Sequence, residues 1–146
     1  MKAISRAVFF ALLVIASTFV HASVVGTKLF LAMELKDGET TIGAPKIVVV
    51  SGEQGSIAIG SNTTVTEPRQ QRDYRIAVLP TLEATGELLT TYEVTVITPA
   101  SDSVAANTRN MKMRIKQKPG ETIMLQVPGA NGEPPLQLTV KTDIVS

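Results

Sequence analysis

Four basic side chains, Lys112, Arg114, Lys116 and Lys118, recur at every second position of residues 112–118. Residues two apart on a β-strand point to the same side, so the spacing predicts one positive row on one face of a strand. On an edge strand such a row discourages stray pairing with other chains. On an interface it makes a contact strip for an acidic partner or an anionic envelope surface. Three acids, Glu83, Glu87 and Glu93, flank Thr85-Gly86. Two carboxylates facing one cleft could serve as general acid and base, but acids beside a hairpin turn are ordinarily a solvated rim.

Other chemistry is closed by composition. The chain has no Cys, no Trp and one His, His21. Ser-His and Cys-His nucleophilic arrangements are therefore impossible beyond residue 22, and no Ser-x-x-Lys spacing occurs. Zinc and most transition metals lean on Cys and His, and an oxygen-only calcium site needs a denser acidic loop than Asp37-Gly38-Glu39. Gly52, Gly55 and Gly60 lie inside a strand pattern rather than ahead of a helix, so they form no phosphate loop. The expectation is a protein that is not an enzyme, with no catalytic residue, no metal and no cofactor.

The beginning of the chain reads as a Sec-type signal peptide, residues 1–22. Lys2 and Arg6 precede an apolar stretch over residues 7–20, and Val20-His21-Ala22 suits cleavage before Ser23. The apolar stretch is shorter than the roughly 20 residues of a spanning helix, so no transmembrane segment is expected after cleavage. Lys2 and Arg6 leave with the signal, so 14 basic residues become 12 against 13 acidic ones, a net charge of −1. The precursor's pI of about 8.0 thus misleads, and no basic footprint for nucleic acid survives. The expected location is periplasmic or secreted.

Residues 23–146 suit a single domain with an ordinary core. Without Cys it has no disulfides, and Phe30, Tyr74 and Tyr92 are its only aromatics, so the core must be aliphatic. Tyr74, Ile76 and Val78 alternate with Arg75, Ala77 and Leu79; Tyr92, Val94 and Val96 with Glu93, Thr95 and Ile97. Met111, Met113 and Ile115 alternate with the basic row, and Leu136, Leu138 and Val140 with Gln137, Thr139 and Lys141. One apolar and one polar face per strand is the pattern of antiparallel sheets with a wet side. Glycine or proline turns separate these runs at Asp37-Gly38, Ser51-Gly52, Thr85-Gly86, Pro119-Gly120 and Asn131-Gly132. The fold class is all-β, an antiparallel β-sandwich of about seven or eight strands, with a partly open barrel as the alternative. Helix is limited to one turn at residues 103–107. Residues 61–72 and 98–107 read as polar surface loops.

Residues 44–60 read as two strands joined by a tight turn, a hairpin, with Pro45, Gly52 and Gly60 as its structural positions. Gly86 and Gly120 hold the corresponding places in later turns, and a weaker copy of the pattern runs over residues 113–127. Pro45, the apolar run Ile47, Val48, Val49 and Val50, then Gly52, Ile57, Ile59 and Gly60 match a known pattern. So do the strand of residues 74–79, Pro80, Gly86 and the strand from Leu88. Over residues 44–97 the chain resembles the conserved β segment of secretins, the outer-membrane proteins of type II and type III secretion systems and type IV pili. The resemblance runs through strand and turn formers, so it implies a local fold and not a pore. The functional expectation is an exported, non-enzymatic binding or structural module of a bacterial cell envelope. It would act on a protein partner through strand edges or through the two loops. The alternatives are an accessory or truncated secretin-like ring subunit, and an inhibitor of an envelope hydrolase.

Overall fold

In the computed structural model the described residues are 26–60, 72–100, 102 and 105–146. The expected signal peptide (1–22), the stretch 61–71, and Ser103 and Val104 of the expected helical turn lie outside them. The alternating runs become strands: β1 (Lys28–Asp37), β2 (Thr40–Gly43), β3 (Lys46–Val50), β4 (Gly55–Ile59), β5 (Asp73–Leu82), β6 (Leu88–Thr98), β7 (Asn107–Gln117), β8 (Thr122–Val127) and β9 (Leu136–Val145). Among the described residues none is helical; Ala105 and Ala106 are irregular, and Asn107 already belongs to β7.

All pairings are antiparallel, and the strands divide into two sheets. One runs β2-β1-β9-β8, with β3 beside β2 on the same flank of β1; the other is the meander β4-β5-β6-β7. Neither closes on itself, so the architecture is a β-sandwich. Its core is the facing inner rows: Leu29, Leu31 and Leu35 of β1 and Leu136, Leu138 and Val140 of β9 meet Tyr74, Ile76 and Val78 of β5 and Tyr92, Val94 and Val96 of β6. Burying each such aliphatic chain is worth roughly 1.5–3 kcal/mol, which is what stands in for disulfides here.

The segment 44–60 is not a hairpin. β3 pairs with β1, whereas β4 pairs with β5 in the other sheet. The Ser51-Gly52 turn is a corner. Glu53 N–H donates to Val50 C=O at 2.9 Å, and Gly52 sits at φ 87°, the arrangement of a type II turn. Type II turns splay the strands that they join, unlike the primed turns that match hairpin twist. The corner then ties itself to both sides, because Ser51 N–H donates to Thr27 C=O and Gly52 N–H to Pro80 C=O, each at 2.8 Å. Gly55 completes the crossing. A Cβ there would stand 2.9 Å from Val49 Cγ1 and 3.0 Å from Ile47 Cδ1.

The weaker copy repeats this construction on the opposite flank. β7 and β8 lie in different sheets; Glu121 N–H donates to Lys118 C=O at 3.1 Å, Gly120 has φ 81°, and its N–H donates to Thr142 C=O at 2.7 Å. The true hairpins carry other turns: β1–β2 around Gly38, β5–β6 around Gly86, and β8–β9 around Asn131-Gly132, both at positive φ. Pro45 interrupts the flank between β2 and β3 without loss, since only its carbonyl is used, accepting Met33 N–H at 3.0 Å. Gly60 ends β4 outside the positive-φ region with no atom within 4 Å of an added Cβ, so nothing in the structure requires glycine there.

Candidate functional site

Along β7 the inward row reads Asn107, Arg109, Met111, Met113, Ile115 and Gln117. Its first two members are polar. A polar side chain on the core-facing side must find a partner or lose its hydration without return. Arg109 finds one at the end of β1: its Nη1 donates to Asp37 Oδ1 at 2.9 Å. The second Asp37 oxygen takes the guanidinium of Arg72, the residue that leads into β5. From the β8–β9 loop Glu133 approaches Arg109 Nε at 3.7 Å, and Asn107 Nδ2 donates to Glu133 Oε1 at 2.5 Å. Asp37 is 9% exposed and Arg109 14%, whereas Glu133 is exposed. The network of two guanidinium and two carboxylate groups thus spans both sheets with a largely buried centre and a wet rim.

The network floors a cleft of about 510 Å³, whose described lining adds Thr98, Ala105, Ala106 and Pro134. Arg109 Nη2 is buried without a hydrogen-bond partner among the described residues. The charges balance, so the cleft is not a general anion trap. The free Arg109 donor suits a ligand's carbonyl acceptor, and the carboxylates of Asp37 and Glu133 suit its N–H donors. Among the described residues no group of three His, Cys, Asp or Glu side chains is placed to hold a metal ion.

The predicted basic row has a different environment. β7 is an edge strand, paired with β6 alone, and Lys112, Arg114 and Lys116 share its exposed face. Lys118 lies beyond the strand end, so the row has three members. Nor is it a bare positive strip. Lys112 stands directly across from Glu93, with their charged groups 2.5 Å apart. Lys116 reaches Glu83 at 3.1 Å and Glu87 at 2.7 Å. The three acids of the β5–β6 hairpin therefore face the lysines of β7 and not a shared cleft. The Lys116 hydrogen bond pulls the Glu87 carboxyl below its ordinary value, and the Glu87 and Glu83 carboxylates raise Lys116.

Sequence reasoning passed over Asp37, Arg72, Asn107, Arg109 and Glu133. Asp37 read as a turn residue, Arg72 and Asn107 as ends of loops, and Arg109 and Glu133 were not singled out. One signal was available: the period-two register that puts Met111 inward also puts Arg109 and Asn107 inward. Compared with models of known families, with curated proteins and with solved structures, the chain matches none.

Proposed function

We propose that the chain is an exported, non-enzymatic module of a bacterial cell envelope that works by protein contact, docking a polar segment of its partner in the Asp37–Arg109 cleft. The observation that carries this reading is convergence. The described ends of both segments marked in the sequence as binding candidates line the same cleft, Arg72 from one and Ala105 and Ala106 from the other, the latter with the strand ends Thr98 and Asn107. Loops held at one end of a rigid sandwich are the usual place for a binding surface. The floor supplies an unpartnered guanidinium N–H and paired carboxylates, which suit a polypeptide's carbonyls and amides.

A photo-crosslinking residue at Ala106, tested in cells that export the chain, decides the matter. The expected result is a heavier covalent adduct from position 106 and none from position 46, which is exposed on distant β3. No adduct from 106, or equal yield from both, overturns the reading.

The resemblance to secretins favours a second reading, a ring-forming accessory subunit of a secretion or pilus system. The residues that carry it build β3, at the flank of one sheet, and β4, β5 and β6, three adjacent strands of the other. Sedimentation separates the two, because a ring requires many copies per particle.

A further inference from the structure

Strands β7 and β8 form one flank of the sandwich, each hydrogen-bonded on one side only. An unpaired strand edge is a template for another strand, and the two edges are built differently. β7 presents Lys112, Arg114 and Lys116, whereas β8 reads Thr-Ile-Met-Leu-Gln-Val, without charge, proline or glycine. At its centre Met124 is 62% exposed, the most exposed large apolar residue among those described. We propose that β8 pairs antiparallel with β8 of a second copy, joining two sandwiches about a two-fold axis through Met124.

Register parity carries the choice of occupant. Directly opposed residues in an antiparallel pair lie on the same face, so a two-fold must pass through a residue and not between two. Centred on Met124, it sets Met124 against Met124 and Thr122 against Gln126 on the wet face. On the core face it sets Ile123 against Leu125, both of which pack in the core layer. Every pair is neutral, and the apolar layer continues across the seam. The same operation on β7, centred on Arg114, opposes Arg114 to Arg114 and Lys112 to Lys116. The two lysines are partly neutralised by the acids of their own sheet, so the repulsion falls mainly on Arg114. Like charges directly opposite are destabilising. The charge pattern thus closes one edge to self-pairing and leaves the other open. A five-residue seam, 122–126, is small beside a standard interface of about 800 Å² per partner, so the association is reversible.

The chain's lack of Cys makes a direct test possible. Met124→Cys places two thiols opposite each other at a Cα separation of about 4.5–5.5 Å, within disulfide range. Mild oxidation is expected to give a covalent dimer from Met124→Cys and none from Arg114→Cys. Sedimentation of the unmodified chain is expected to show a monomer–dimer equilibrium, and Met124→Lys to raise its Kd at least about tenfold with an unchanged thermal melt. A chain that stays monomeric at high concentration overturns the proposal. So does a dimer indifferent to Met124→Lys, or crosslinking at Arg114→Cys instead. Each result is independent of the Ala106 crosslink, so the cleft and the edge stand or fall separately.

Discussion

Ser51 Oγ accepts the backbone N–H of Leu82 at 2.8 Å across 31 residues of chain, in a fully buried setting. β4 ends its ladder opposite Val78, where Gly55 pairs, so the last residues of β5 are paired with β6 but have no strand on the β4 side. The corner seals that gap: Gly52 N–H takes the carbonyl of Pro80, and Ser51 takes the N–H of Leu82. Pro80, with no N–H of its own, is suited to the place. Ser51→Ala leaves the buried Leu82 N–H unpaired, at an expected cost of about 1–3 kcal/mol. Urea unfolding measures it, and an unchanged midpoint would mean that water reaches the gap.

The two corners make a matched prediction. Gly52 and Gly120 sit at φ 87° and 81°, with open space or ordinary contact where a Cβ would go. Alanine at either position carries only the left-handed backbone penalty, about 1–2 kcal/mol. Gly60→Ala, at a position with no such φ, should be neutral or stabilising by about 0.5 kcal/mol. Denaturant midpoints of the three variants give the comparison; equal losses at all three would contradict the corner assignment.

Asp37 holds two guanidinium groups, and its loss leaves both without that anion in a largely buried site. Asp37→Asn is expected to cost about 3 kcal/mol, the low end for breaking a buried pair, because Arg72 is 22% exposed. Adding Arg109→Met should recover part of the loss, since the stranded charge is then gone. A double variant as unstable as the sum of the singles would show that the groups act independently.

The Lys116–Glu87 pair predicts a titration. Glu87's folded pKa is depressed, so its contribution is present above the unfolded value and is lost as pH falls through the folded one. Lys116's is raised, so its contribution is complete below the unfolded lysine value and is lost as pH rises through the folded one. The pair therefore stabilises from mildly acidic to moderately alkaline pH. In an NMR titration Glu87 should ionise below the usual glutamate range, and Lys116→Gln should return it toward that range. High salt should act in the same direction. A Glu87 midpoint indifferent to Lys116→Gln would contradict the pairing.

The sequence by itself determined the local order of this protein. Alternation fixed which residues of β5, β6, β7 and β9 face the core, because side-chain direction in a strand depends only on position parity. Glycine and proline marked the turns, since φ is a property of single residues. The Pro45–Gly60 stretch and its echo were visible as a repeated unit, and Pro119-Gly120 already carried the type II signature that splays strands. Only the tertiary structure decided what that unit is. Whether β3 turns back on β4 or crosses to another sheet depends on β1 and β5, which compete for the two strands from elsewhere in the chain. The same holds for the cleft. Asp37, Arg72, Arg109 and Glu133 are separated by long stretches of sequence, and neither spacing nor composition records that the ends of two sheets bring them together. The basic row of β7 was legible as a row; its neutralisation by Glu93, Glu83 and Glu87 was set by cross-strand register, which no single strand encodes.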